Sequence, residues 1–365
     1  MIDRHSSARR CARICSAIGI AGVLLAALLP GSGTARAADQ MRLLETGSSL
    51  LYPLFNLWVP AYSSSHPDVQ ITTQSTGSGT GISEAISGIA QVGASDAYMS
   101  NPQMHANRSM LNIPLAISSQ MVNYNVPGLN DAHLKLSGPV LAAIYSGTVQ
   151  YWDDAQLRSL NPGVNLPHQS IVPIHRTDGS GDTFIFTQYL AFSTPSWNQS
   201  IAYGTTVAWP AVSGGLGAEG NPGMVNASKT TPYSIAYIGI SFKKATDAAG
   251  LGEAALQNRA GEFVLPTAAT VQAAVRATAA RTPADERISL IFAPGAQSYP
   301  IINYEYAIVN SRQPSRAQGT AVRQLLDWCI NPRDGNAAHF MDAVGFVALP
   351  EAIAQLSRKQ IAMIH

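Results

Sequence analysis

Cysteine, charge and long apolar runs are all scarce in this chain of 365 residues. Of its three cysteines, Cys11 and Cys15 fall within the first 37 residues, which leaves Cys329 alone in the remainder. An internal disulfide is thereby excluded, and stability must come from a buried core. Charged residues make up only 12% of the chain, with no basic stripe of the kind a nucleic-acid partner requires. The apolar stretch from Ile14 to Leu29 is too short and too rich in small residues to favour a permanent membrane span. None of the eight histidines stands in a nucleophile-elbow or metal-ligand arrangement, so no metal and no cofactor is expected. Internal repeats and low-complexity segments are absent as well.

What is present is apolar material, 46% of the chain, enough for two domains with cores of their own. At the start, Arg4, Arg9, Arg10 and Arg13 precede the apolar run, and Ala35-Arg36-Ala37 follows it. That order is a secretory signal peptide over residues 1–37, with cleavage expected after Ala37. It holds five Arg and one Asp, so the mature chain carries 18 basic and 21 acidic residues, a net charge of −3. The exported chain is expected to be periplasmic or secreted.

The most informative stretch is His175-Arg176-Thr177-Asp178-Gly179-Ser180-Gly181-Asp182-Thr183. A fixed cation, hydroxyls, glycines and carboxylates precede Phe186, Tyr189 and Leu190, which are spaced as one helix face. Glycines let backbone N–H groups converge, and a helix start adds unpaired donors and a positive dipole end, which together suit an anion. Such clusters are also ordinary N-caps. The pattern recurs, however. Gly47-Ser48-Ser49 precedes Leu54, Leu57, Trp58 and Ala61, and Thr76-Gly77-Ser78-Gly79-Thr80-Gly81 precedes Ile82, Ala85, Ile86 and Ile89, both at helical spacing. Three such starts aimed at one place would form an anion cage.

Between these turns, short strand-like runs alternate with helical periods, the pattern of an α/β protein. Strands are expected at Arg42–Gly47, Val69–Gln74 and Val92–Asp96, at Ile171–His175 and at Ile235–Ile240. Asn112–Ser118 and Met121–Val126 are expected as extended chain crossing into a second lobe, and Tyr299–Val309 as the strand that returns. Helices are expected at Val140–Tyr145, Val271–Ala280, Arg316–Ile330 and Ala352–Ile364. Ala202–Ser228, rich in Gly and Pro, reads as irregular surface loop. Cys329 falls in a helical stretch, where a buried thiol is the default, and Trp58, Trp152, Trp197 and Trp209 are assigned to packing. His175, at a strand end, is assigned to packing or surface.

Taken together, Gly47-Ser48-Ser49-Leu50-Leu51-Tyr52-Pro53, Thr76-Gly77-Ser78-Gly79, Gly93-Ala94-Ser95-Asp96-Ala97, Ile144-Tyr145-Ser146-Gly147 with Trp152, Arg176 to Gly181, and Tyr299-Pro300-Ile301 resemble the periplasmic phosphate-binding proteins of the Pst-type phosphate ABC transporter. The resemblance spans nearly the whole mature chain. It implies a two-lobed type II periplasmic-binding-protein fold, each lobe a mixed sheet flanked by helices, with the ligand in the cleft between them. The corresponding boundaries are 38–120 for the first part of lobe I, 121–300 for lobe II and 301–365 for the return to lobe I.

The resemblance also implies a function: capture of inorganic phosphate, without catalysis, by a monomer that delivers it to membrane permease and ATPase subunits. Carried over by motif, Ser78 supplies a hydroxyl and a helix-start N–H, Asp96 accepts from the protonated phosphate, and Arg176 pairs with its charge. Ser180 and Gly181 add donors, Tyr52 its backbone N–H, and Asp178 orients Arg176. Two positions depart from the commonest pattern. Leu51 replaces a frequent threonine and leaves backbone contact at most. Asp182 replaces a frequent hydroxyl residue, either as a second carboxylate acceptor or as a plain helix cap. The competing classes are a receptor for another tetrahedral oxyanion such as sulfate, molybdate or arsenate, a secreted phosphate sensor or adhesin, and a hydrolase using Ser180 or Ser78 as nucleophile.

Overall fold

The computed structural model describes residues 40–365. The expected signal peptide, with Cys11 and Cys15, lies outside the described residues. The described chain opens with β1 (Met41–Gly47), α1 (Tyr52–Ser65), β2 (Val69–Ser75), α2 (Ser78–Ser87) and β3 (Val92–Ser95). β1 lies parallel to both β2 and β3, a pairing that needs a crossover, and the two helices supply it. Next come β4 (Met110–Asn125), β5 (Val172–Arg176), α3 (Gly181–Ser193), β6 (Leu216–Ala218), α4 (Gly220–Thr230) and β7 (Ser234–Gly239), and the chain returns through β8 (Ile302–Asn310). In space the strands run β2, β1, β3, β8, β4, β7, β5, β6.

β4 is the strand that joins the two halves. Its first part pairs antiparallel with β8 and its second part, from Gln120, with β7. The two extended runs expected from the sequence are therefore one strand of 16 residues, buried along nearly all of its length. The polar trio Ser118-Ser119-Gln120 marks the point where pairing changes from one partner to the other. The β4/β8 register shifts between Glu305 and Tyr306, beside Pro114, a residue with no N–H to give to the ladder.

The apolar faces are close to those expected, with instructive departures. In α1, Leu54, Phe55, Trp58 and Tyr62 are buried, whereas Leu57 is exposed. α2 stops at Gly88, which is left-handed, so Ile89 lies past the helix and is exposed. α3 is buried on every side from Gly181 to Ala191, where the spacing predicted a single face. The loop expected from Ala202 to Ser228 ends early. Leu216–Ala218 joins the sheet beside β5, and Gly220–Thr230 is helical with Asn221 and Met224 buried. Gly and Pro mark turn chemistry only locally, and here the neighbouring strand and the core override it.

Each half has its own aromatic cluster. Trp58 lies edge-on to Phe55 at 5.2 Å and to Trp328 at 6.5 Å. In the other half Phe186 stacks on Tyr237 at 4.5 Å and meets Tyr145 at 5.0 Å. Trp58, Trp152 and Trp197 are core residues, and Trp209 stacks on His175 at 5.1 Å. Cys329 is buried and free, with its thiol pushed well up by burial.

Candidate functional site

The carboxyl ends of β1, β2 and β3 lie side by side, since Gly47 is in register with Ser75 and with Ala94. The turn after β1, the start of α2 and Asp96 are thereby brought together at the place where ligands sit in open α/β sheets. Asp96 is the focus of this first half. Its Oδ1 accepts from Ser48 Oγ and its Oδ2 from Ser78 Oγ at 3.4 Å, while its own N–H donates to Ser78 Oγ at 3.2 Å. Burial, and after it the charge of Asp182, pushes the Asp96 carboxyl up to about 7. Glu305, Ser48 and Arg176 oppose that rise.

The second half is built at the end of β5 and the start of α3. Arg176 donates Nε to Asp178 Oδ1 at 2.7 Å and its outer nitrogens to Asp178 Oδ2 and, at 2.8 Å, to Asp182 Oδ2. Burial would pull the guanidinium down, but the hydrogen bond to Asp178 and the charges of Asp182 and Asp178 carry it above its ordinary value. For Asp178 burial is outweighed by Arg176, so its carboxyl lies below the usual range. Asp182 is pushed up by burial, against Arg176, Gln120 and Asn221.

Asp182 does not cap α3. That role belongs to Ser180, whose hydroxyl accepts Thr183 N–H at 3.2 Å. The Asp182 carboxylate instead accepts Gln120 Nε2 at 3.0 Å on Oδ1, and Asn221 Nδ2 at 2.7 Å with Arg176 on Oδ2. A helix-start carboxylate looks like a cap in sequence, but a serine two residues earlier already satisfies the donor.

The two halves meet through backbone. Gly79 N–H donates to Gly179 O at 2.7 Å. A Cβ on Gly181 would lie 2.3 Å from Asp96 Oδ2 and 2.5 Å from Ser78 Oγ. A Cβ on Gly77, at φ 88°, would lie 2.6 Å from Asp178 Oδ2, so only glycine serves at either place. Ser78, Asp96, Arg176, Ser180, Gly181 and Asp182 are thus gathered into one buried cluster. The first-turn N–H groups of α2 and α3 lie outside the helical ladders. Two helix starts, one guanidinium and one hydroxyl-bonded carboxylate can hold a small, compact oxyanion that still carries a proton.

Tyr52 and Leu51 do not contribute free donors. Tyr52 N–H bonds Ser48 O at 3.0 Å, and Leu51 N–H bonds Ser48 Oγ at 3.0 Å. The turn closes on Ser48, and its hydroxyl, not the backbone of Tyr52, reaches the centre.

Sequence reasoning missed Ser48, Gln120, Asn221, Tyr237 and Glu305. Asn221 links Asp182 to Ser49 Oγ, at 3.0 Å, and accepts Gly239 N–H at 2.9 Å, yet it stood in a stretch read as loop. Tyr237 Oη accepts Arg176 N–H at 2.9 Å and pairs with Thr183 at 2.8 Å. Glu305 carried a usable signal, as the lone charge in the apolar run Ile302–Val309. Among the described residues no cluster of His, Cys, Asp or Glu is suited to a metal ion.

Residues 31–333 match the family model described as a PBP superfamily domain. The chain is 33% identical over 337 residues to phosphate-binding protein PstS of Methanocaldococcus jannaschii, covering 87% of this chain and 85% of that one. It is 32% identical over 314 residues to phosphate-binding protein PstS of Pasteurella multocida, covering 86% and 88%. Among solved structures, a high-affinity periplasmic phosphate-binding protein with bound phosphate superposes with a TM-score of 0.69 at 22% identity, over 87% of this chain and 93% of that one.

Proposed function

The chain belongs to the PBP superfamily and, within it, to the PstS phosphate-binding proteins, and on that premise we propose that it captures one inorganic phosphate ion for a phosphate ABC importer. The architecture is the α/β fold of the type II periplasmic binding proteins. In the proposed arrangement lobe I comprises 38–120 and 301–365 and lobe II 121–300, with phosphate between them. The leader is removed, and the monomer works in the periplasm or as a secreted protein, handing its cargo to permease and ATPase subunits.

The observation that carries the reading is Asp96, a buried carboxylate facing the start of α3 with hydroxyl donors on both oxygens. A buried carboxylate and a buried anion repel unless a proton lies between them. Near neutral pH phosphate has that proton and sulfate does not, so sulfate leaves Asp96 facing an acceptor at a cost on the order of several kcal/mol. Arsenate keeps both proton and shape and is accepted by the same logic. Arg176, the Ser180 hydroxyl and the N–H groups of Ser78, Gly181 and Asp182 supply charge-assisted donors worth roughly 1.5–3 kcal/mol each, against roughly 8 kcal/mol for micromolar binding. Asp178 fixes the guanidinium.

A hydrolase is a poorer fit. Ser180 Oγ is engaged as a helix cap, Ser78 Oγ is engaged with Asp96, and the family is one of binding proteins.

The test is calorimetric titration of the mature, ligand-stripped chain with phosphate and then sulfate near neutral pH, repeated with Asp96→Asn. Micromolar or tighter phosphate binding is expected, without sulfate binding, and the variant is expected to lose that discrimination. No heat with phosphate would overturn the proposal.

A further inference from the structure

Beside Asp96 stands a second buried carboxyl that the binding scheme does not use. Glu305 lies on β8 and is fully buried. Its Oε1 lies 2.5 Å from Ser118 Oγ, whose single proton is also within reach of Asn303 Oδ1 at 2.7 Å, and 3.2 Å from Asn303 Nδ2, which also reaches Tyr304 O at 2.9 Å. Its Oε2 has no donor, and the Asp96 carboxyl is the acidic group that acts on it. Asn303 Nδ2 also reaches Asp96 O at 3.3 Å, tying the two residues together.

Two buried acceptors that face each other must share a proton, since neither has water to turn to. The other donors decide where it sits. Asp96 receives a hydroxyl on each oxygen, the pattern of an anion. The groups near Glu305 lie at Oε1 and each has another acceptor within reach, while Oε2 has no donor at all, the pattern of a carboxylic acid.

We propose that Glu305 is protonated on Oε2 and donates that hydrogen bond to Asp96, so that a residue outside the ligand shell keeps Asp96 an acceptor. The inference rests on the phosphate reading above for its consequence, but not for its geometry. Burial and the charge of Asp96 hold Glu305 well above the usual carboxylate range, in agreement with a neutral acid. The charged groups acting on Asp96 are Asp182, Glu305 and Arg176. Around Glu305, β4 contributes Ser118 and β8 contributes Asn303, both uncharged, and Asp96 is the charge it faces.

A donor on Asp96 lowers the pH at which that carboxylate takes up a proton. Without it Asp96 protonates at higher pH, turns from acceptor to donor, and ceases to reject sulfate. An anionic Glu305 would act in the opposite sense, because its removal would relieve repulsion. The sign therefore separates the two.

The experiment titrates the mature chain, Glu305→Gln and Glu305→Leu with inorganic phosphate and inorganic sulfate between pH 5 and pH 8. Gln keeps both an acceptor and a donor, so its phosphate-to-sulfate ratio should match the unmodified chain. In Glu305→Leu the pH at which sulfate begins to bind should rise by about one unit, with a roughly tenfold loss of discrimination below it. A shift to lower pH, no shift, or equal impairment in both variants would overturn the proposal. Infrared spectra provide a readout independent of folding in the Leu variant. Glu45 and Glu286, both pushed up to about 8, also contribute to the protonated-carboxyl absorption at neutral pH, so the readout is the difference spectrum: one component should be lost in Glu305→Gln, and a difference spectrum without that loss refutes the proton on Glu305 whether or not phosphate binds.

Discussion

The starts of α2 and α3 use the same small residues and differ in their electrostatics. Around α2 the donors are neutral, Ser48 and Ser78, and the carboxylate they serve, Asp96, has no salt-bridge partner among the described residues. Around α3 a guanidinium is held between two carboxylates, Asp178 and Asp182. The consequence is visible in protonation. Asp96 is pushed up to about 7, whereas Asp178 lies below its ordinary range. In the second half Asp178 stays ionised beside the guanidinium, whereas the more deeply buried Asp182 is pushed up in spite of it. A carboxyl group's state is set by the balance between its burial and the partners that oppose it.

The sharpest way to break this contrast is to remove the cation. Arg176→Met leaves Asp178 and Asp182 buried without their partner, and a loss of about 3–5 kcal/mol of stability is expected, read by denaturant unfolding of the ligand-free chain. A loss under about 1 kcal/mol would mean that the pair is solvated, as exposed pairs are.

The first half holds another buried carboxyl with no salt-bridge partner among the described residues. Glu45 on β1 is buried, accepts from Thr73 on Oε2 and has no donor on Oε1. Burial, opposed by the Thr73 hydrogen bond, pushes it from 4.5 up to about 8. Between those values the unfolded chain has released a proton that the folded chain retains. Stability therefore falls as pH rises from 4.5 towards 8 and is unaffected by this group below 4.5. Glu45→Gln should flatten that fall by up to about 1.4 kcal/mol per pH unit, measured as unfolding free energy at pH 5, 6, 7 and 8. An unaltered slope would show that Glu45 is ionised in the folded chain. Asp178, already ionised, should add nothing to the slope in this window.

A milder test concerns the joint between halves. Asn221→Ala strips a donor from Asp182 and from Ser49 and an acceptor from Gly239 N–H. It should cost about 1–3 kcal/mol and weaken phosphate binding while leaving the preference over sulfate intact, since Asp96 is untouched. Calorimetry that showed sulfate binding by this variant would place part of the selectivity in the second half.

Much of the fold was legible because short periodicities report it. The strands at β1, β2, β3, β5 and β7, the helices before Ile330 and Ile361, and the turn that presents Arg176 all follow from local patterning. α4 was not legible, because Asn221-Pro222-Gly223 has the composition of a turn and becomes a helix start only with β6 and β7 beside it. The role of Asp182 was open in the sequence for a similar reason. Its position fits a cap, and only the fold shows Ser180 already filling that place.

The sequence by itself determined the α/β class, the cation at Arg176, the glycine-rich helix starts and the carboxylate at Asp96, because each rests on residue types within a few positions of one another. The tertiary structure alone decided which oxygens face which donors. Ser118 and Glu305 lie 187 positions apart and Ser49 and Asn221 172 apart, and no local pattern encodes either meeting. A carboxyl group's charge depends on burial and on such distant partners, so the protonation of this site is a property of the assembled fold.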